Sequence, residues 1–511
     1  MLKNISIDNL FKSISNWFTK DRKNIFLVTF IVGLLTHFEL ISKELLAYDG
    51  YWHYGAMLAK GWEISLGRFL IPFSDMFRGT IVVSILTTTL SLIAIGFASI
   101  ILIETLKIKK TYIKVAISIL MAVTPTISLT FMYAYTAFGY SLALLFAVLS
   151  VYYLYKEKNI KNIIISIICI IATLGFYQAY LCYITALFAI VFIVKLIEEK
   201  KVNYKEFFAN IFIIIIGMIL YYVGLMLITK ILNLNISNYS NGSGILSPET
   251  FTNIFASIKN TYITFYNFYF TDEILTNVSW FRNILNAVLF VLIIINFIAI
   301  ILERKLYKSA SEIITLILMI LIYPIFTCSI ELIAQSRNIN LLMAVSLYLP
   351  IILLLKQTEL IKEKTVNNII NILSFSTCAI IIWTYILSNN ATYVATDLYN
   401  KQMYSIGTNI VEKIQENEEV EKGMPVLVTG KLDFSIQNDE LLSLTNFDVS
   451  DVNAWTWQVF LQDNLGLGWN IWQYSEDMSI TNTEEYNQMP AFPDDGYIKV
   501  INGTVVVKLS Y

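Results

Sequence analysis

The stretch FFANIFIIIIGMILYYVGLMLITKI, residues 207–231, contains no charge before Lys230. As a helix it would be about 37 Å long, enough for the roughly 30 Å hydrocarbon core of a bilayer. No polar face recurs along it at helical spacing, as it would on a surface helix of a water-soluble domain. Comparable runs stand at 25–42, 80–106, 111–132, 138–155, 162–177, 181–197, 284–302, 312–333, 339–355 and 366–388. The expectation is therefore an all-α polytopic membrane protein that crosses the bilayer about eleven times.

Composition agrees. Of 511 residues, 56% are hydrophobic and 14% charged, with a mean hydropathy of +0.63, too apolar for a soluble chain of this length. The net charge of -2 conceals two opposite parts. Residues 1–393 hold 30 Lys and Arg against 20 Asp and Glu, and residues 394–511 hold 6 against 18. The acidic part would repel a phosphate backbone, so no nucleic acid is expected as partner. The four cysteines all lie in apolar runs, and there are only two histidines. Neither a disulfide framework nor a metal site is expected, and no cofactor is implied.

The basic residues alternate from loop to loop. The N-terminal segment to Lys23 and the stretches Lys107–Lys114, Lys156–Lys161, Lys195–Lys205, Arg304–Lys308 and Lys356–Lys364 hold 22 of the 30. By the positive-inside rule these face the cytoplasm, and membrane lipids surround the spans. The N-terminus is then cytoplasmic and the C-terminal part extracytoplasmic. The N-terminus lacks the features of a cleavable signal peptide. Residues 1–24 carry Ile7, Leu10, Phe11, Ile14, Trp17 and Phe18 on one helical face, as in a helix lying in the interface. The transmembrane part spans 25–390, with long external loops at 43–79 and 232–283, and short helices are expected in the first. Residues 391–511 read as a small α/β domain: a helix at 394–416, strands at 425–429, 497–501 and 504–509, and an Asn502-Gly503 hairpin.

The first external loop contains Tyr48-Asp49-Gly50-Tyr51-Trp52-His53 and then Gly67-Arg68-Phe69-Leu70. A carboxylate and a guanidinium on one face of the membrane are what sugar transfer from a lipid phosphate requires. Asp49 would take the acceptor's proton, and Arg68 would hold the departing phosphate through its two-pronged donors. Asp49 could equally be solvated or cap a helix, and His53, one turn further on, could orient it or stand in solvent. At other span ends lie Tyr177-Gln178-Ala179-Tyr180, Asp272 with Glu273, and Glu331 with Arg337. Glu331 continues an apolar run, where an acid is costly without a partner or a task, and Arg337 could be that partner. Trp455, Trp457, Trp469, Trp472 and Tyr474 suit a domain core or a sugar-stacking surface. No Gly-rich phosphate loop and no external Asp-x-Asp pair occurs, which argues against nucleotide-sugar chemistry. An activated sugar would have to arrive attached to a lipid.

These residues resemble the bacterial, phage-associated glucosyltransferases of serotype conversion, glucosyltransferase family II. The resemblance rests on Asp49-Gly50 with Gly67-Arg68-Phe69, Phe131-Met132-Tyr133 through Tyr140, Gly175-Phe176-Tyr177-Gln178-Ala179-Tyr180 and Ser336-Arg337. It extends to Met489-Pro490-Ala491-Phe492-Pro493, Gly496 and Val505 to Leu509. It implies a GT-C type membrane enzyme of the cytoplasmic membrane. Such an enzyme carries glucose from an undecaprenyl-phosphate-linked donor to a surface polysaccharide such as O-antigen, with inversion. Asp49 would be the base, Arg68 and Arg337 the phosphate-binding residues, and Glu44, His53, Tyr177, Gln178 and Glu331 part of the cavity. Some members resemble a double acidic pair where this chain has Asp49 beside Gly50, which keeps Glu44 and Glu331 as reserve carboxylates. The competing readings are a lipid-linked sugar flippase and a polysaccharide-binding membrane protein without turnover. The oligomeric state is not indicated.

Overall fold

The computed structural model describes residues 7–47, 50–51, 55–56, 58–237, 253–276, 279–333, 339–361, 365–432, 438–449, 452, 454–466, 475 and 477–511. The chain is mostly helical, and eight helices are long and apolar enough to cross a membrane. They are Ser84–Thr105, Thr111–Met132, Ala134–Tyr155, Gln178–Glu199, Tyr204–Ile231, Trp280–Arg304, Leu341–Leu360 and the apolar part of a helix that ends at Glu416. Ile160–Phe176 and Ala310–Leu321 are apolar but shorter.

Of the three expected runs not among these eight, 162–177 is an unbroken helix of 17 residues, Ile160–Phe176, and the other two are broken for reasons of local chemistry. The run at 25–42 is a helix Lys20–Thr36, a break at His37 and a short helix Phe38–Lys43. The imidazole holds the break in place: Nδ1 lies 2.6 Å from the Tyr393 hydroxyl and Nε2 2.8 Å from the Ala122 carbonyl. The run at 312–333 stops at Leu321, restarts as Tyr323–Thr327 with a proline in its first turn, and ends as the 3-10 turn Ser329–Leu332. Pro324 has no N–H to continue the ladder.

Packing sorts the helices into two kinds. Thr111–Met132, Gln178–Glu199 and Leu341–Leu360 are buried along most of their length, whereas Tyr204–Ile231 is mostly exposed. Its Phe208, Phe212, Ile219 and Leu227 point outward. An apolar surface of this extent is stable against lipid and not against water. Glycines set the closest approaches: a Cβ at Gly217 would lie 2.7 Å from Ile170 Cγ2, and one at Gly33 2.4 Å from Leu92 Cδ2. Small residues at such crossings let helices associate where burial from water supplies no driving force.

The first loop holds the expected short helices, Gly61–Ser65 and Ile71–Arg78, and a two-residue ladder pairing Gly55–Ala56 with Ile81–Val82. Its brace is a buried ion pair, Arg78 Nη2 to Asp75 Oδ1 at 2.8 Å; Asp75 Oδ2 also accepts from the Ala59 N–H. Burial pushes the Asp75 carboxyl above its usual range, against the pull of Ala59 and Arg78. The second loop contains a helix, Ile254–Phe270, that hydropathy does not reveal because Lys, Asn and Thr interrupt it. At the N-terminus Ile7–Trp17 is helical, and Trp17 and Phe18 pack on Phe97. The side chains of Leu10, Phe11 and Ile14 lie outside the described residues.

The expected span at 366–388 and helix at 394–416 are one helix, Thr365–Glu416. Its 52 residues would extend about 78 Å, more than twice the hydrocarbon thickness. Beyond it Val426–Thr429 runs parallel to Thr504–Lys508, which pairs antiparallel with Ile498–Ile501. Asn502 and Gly503 both have positive φ, +50° and +75°, as a type I′ hairpin demands. Tyr399, Met403 and Ile410 of the long helix share a core with Val428, Trp457, Val505 and Val507, and with Leu46 and Tyr51 of the first loop. Trp457 is fully buried, which makes it core, while Trp469, Trp472 and Tyr474 lie outside the described residues.

Candidate active site

The Ile160–Phe176 helix ends because Tyr177 turns extended, φ -158° and ψ 112°, before the 3-10 turn Gln178–Tyr180. This break exposes polar groups to the first loop. Gln178 Nε2 donates to the Leu66 carbonyl at 2.7 Å and to the Tyr221 hydroxyl at 3.0 Å. The Tyr221 hydroxyl in turn donates to the Gly67 carbonyl at 2.9 Å. Gly67 adopts φ +87°, and a Cβ there would fall 2.3 Å from Gln178 Nε2 and 2.5 Å from the Tyr221 hydroxyl oxygen. Only glycine fits, by conformation and by space. The Leu70 N–H then donates to the Gly175 carbonyl at 2.9 Å. Two motifs 110 residues apart thus form one hydrogen-bonded unit.

The unit aims Arg68. Its guanidinium carbon lies 5.1 Å from the Tyr177 ring centroid and 5.8 Å from that of Tyr140, and these two rings stack 4.1 Å apart. Among the described residues it makes no ion pair, and its buried Nε has no hydrogen-bond partner. The nearby acid is already engaged: Glu63 accepts from the Lys60 N–H in a capping box. A guanidinium held on aromatic faces, with its donors unspent, is arranged to receive an anion.

The third motif reaches the same place. The Tyr135 carbonyl accepts from Arg78 Nη2 at 3.4 Å. The Met132 carbonyl accepts from the Ala47 N–H at 3.3 Å, and a Cβ on Gly50 would come within 2.8 Å of that same oxygen. Ala47 and Gly50, on either side of Asp49, are therefore seated on the end of the helix that finishes at Met132. Asp49 itself, His53 and Arg337 lie outside the described residues. Glu44 ends the Phe38–Lys43 helix in the left-handed conformation, φ +50°, half-buried.

Glu331 stands in the turn Ser329–Leu332, 5% exposed. One carboxylate oxygen accepts from the Thr264 hydroxyl at 2.5 Å, and the Ile339 backbone N–H is a further donor to the carboxyl. The next residue back, Ile330, donates its N–H to Cys182 Sγ, two positions beyond Tyr180. Among the described residues no hydrogen bond or ion pair joins Glu331 to Arg68. Sequence reasoning passed over Arg282, a half-buried guanidinium near the start of the Trp280–Arg304 helix, within electrostatic reach of Tyr269, Tyr348 and Tyr385. An arginine three residues into a run otherwise free of charge to Ile301 was the available signal. Among the described residues no His, Cys, Asp or Glu cluster could hold a metal ion.

A multi-pass apolar helical chain with an unspent arginine at the meeting of three helix ends has the parts of a membrane-embedded transferase. Residues 39–355, more than half of the chain, match the family described as Glucosyl transferase GtrII, and the chain belongs to that family. The match takes in Arg68, Tyr177, Gln178 and Glu331 and stops before the long helix. The resemblance at 489–509 thus lies beyond the matched span, and its residues there serve structure: Lys508 Nζ donates to the Met489 carbonyl at 2.8 Å. No curated protein and no solved structure matches the chain.

Proposed function

We propose that the protein transfers a sugar, glucose by family, from an undecaprenyl-phosphate-linked donor to a surface polysaccharide on the outer face of the cytoplasmic membrane. The observation that carries this reading is Arg68: a guanidinium that makes no ion pair among the described residues, set on stacked tyrosines by contacts that require Gly67 and Gln178. A lipid phosphate supplies the missing anion. In the single displacement, the acceptor hydroxyl loses its proton to the Asp49 carboxylate and its oxygen attacks the anomeric carbon. The bond from that carbon to the phosphate oxygen breaks, and the phosphate leaves with the electron pair towards Arg68, joined by Arg337. Configuration inverts. No general acid is needed, because a phosphate is already a weak base.

In the same reading the eleven apolar runs all cross the bilayer in a GT-C-like arrangement, with the N-terminus cytoplasmic and residues 391–511 outside. The contact of that C-terminal part with the first loop, Tyr51 against Phe460 and hydrogen-bonded to Asn400, supports a role in presenting the acceptor beside Asp49. The test is incubation of the purified protein with polyprenyl-phosphate sugars and surface glycan, reading release of free polyprenyl phosphate. Asp49→Asn should insert and bind the lipid yet release none. Full turnover by that variant, or no release from the native protein with any sugar, overturns the assignment.

A further inference from the structure

At the end of the molecule where the Ser84–Thr105, Ala134–Tyr155 and Leu181–Glu199 helices all terminate, a cavity of about 220 Å³ opens between them. Its charged lining is Lys107, Lys156, Lys195, Glu104 and Glu198. Both carboxylates are already paired with other cations. Glu104 pairs with Arg22 at 2.6 Å, and Glu198 with Lys356 at 3.3 Å. Lys195 is also satisfied, by Glu206 at 2.6 Å and Glu199 at 3.7 Å. Lys107 and Lys156 are left without an ion pair among the described residues. Lys156 Nζ instead rests over the rings of Tyr152 and Tyr153, at 5.2 and 5.4 Å.

Cations near helix C-termini are favourable in themselves, so lysines at these positions alone would mark nothing. The cavity and the ion-paired state of its two carboxylates do. The rest of the wall is Leu106, Val191 and Val194 with Thr105 and the rings of Tyr152 and Tyr155. The volume falls below that of a drug-sized ligand site, yet the opening joins a charged end to an apolar flank at the ends of three membrane helices. That combination suits a phosphate headgroup with the beginning of its acyl chains and is poorly matched to a free ion in water.

We propose that this cavity binds the headgroup of an anionic membrane phospholipid, with Lys107 and Lys156 as its phosphate ligands. It lies apart from Arg68: no residue of its lining belongs to the three motifs that converge there. The experiment uses the full chain in nanodiscs made of phosphatidylcholine with graded phosphatidylglycerol, and native mass spectrometry to count retained lipids. The native protein should retain phosphatidylglycerol in preference to phosphatidylcholine. Lys107→Gln with Lys156→Gln should lower that preference about 30-fold, from roughly one kcal/mol of attraction per lysine. The double variant Lys201→Gln with Lys308→Gln, which removes equal charge outside the cavity, should keep it. Equal loss in both pairs would mean diffuse attraction to a basic surface and would overturn the site, as would no loss in either. Displacement of the lipid by millimolar inorganic phosphate alone would assign the cavity to a free anion and overturn the lipid assignment.

Discussion

Replacing Gly67 by alanine adds one methyl group at the point where the first loop meets Gln178 and Tyr221. The backbone at φ +87° costs an L-residue on the order of 1–2 kcal/mol. The new Cβ would sit 2.3 Å from Gln178 Nε2 and 2.5 Å from the Tyr221 hydroxyl, so both side chains must withdraw. Their bonds to the Leu66 and Gly67 carbonyls then break. Each buried group left unpaired adds about 1–3 kcal/mol. The native seat of Arg68 thus becomes about 3–8 kcal/mol less favourable, while the surrounding helices can stay as they are. If transfer requires that seat, kcat/KM should fall at least 100-fold, since each tenfold corresponds to about 1.36 kcal/mol. The assay is release of polyprenyl phosphate, run beside thermal unfolding in the same detergent. Gly224→Ala on the same helix as Tyr221 is the control, because a Cβ there meets nothing within 4 Å. Retention of activity within twofold by Gly67→Ala would refute the reasoning that this contact positions the reactive arginine.

Three further outcomes follow from the geometry. Arg68→Lys should still lose about 100-fold in turnover, because an ammonium keeps the charge and not the forked donors or the ring stacking; wild-type rates in the same release assay would remove Arg68 from the site. Arg78→Ala, which strands the buried Asp75 carboxylate, should destabilise the first loop by about 3–5 kcal/mol, seen as faster limited proteolysis between residues 58 and 80, whereas Asp75→Leu with Arg78→Met should be close to neutral. Trp457→Ala should lower the melting temperature of the C-terminal part through a loss of about 3–5 kcal/mol; an unchanged melt with weakened glycan binding would instead favour a sugar-stacking role for this side chain.

Hydropathy is local and additive, so the membrane class, most helix positions and the basic ends of alternate loops were legible in the amino-acid order. So was the Asn502-Gly503 hairpin, because its backbone demand is met by two adjacent residues. The arginine and the Tyr-Gln-Ala-Tyr element could be singled out separately, on chemistry and resemblance. Where apolar runs break depended on partners far along the chain, as His37 shows by bonding to Tyr393 and Ala122. The two expected helices fuse into Thr365–Glu416, whose second half packs on the C-terminal sheet, across a polar interruption at Asn389 and Asn390 that reads as a boundary. Asn389 donates to the Val123 carbonyl, so this interruption is satisfied inside the fold. Tertiary structure alone decided that Arg68 is seated on Tyr177 and Tyr140 with no ion pair among the described residues, that Glu331 meets Thr264 and that Arg282 lies near three tyrosines. Each is a statement about which groups distant in sequence become neighbours, and residue type at one position carries no information about the charge that folding places beside it.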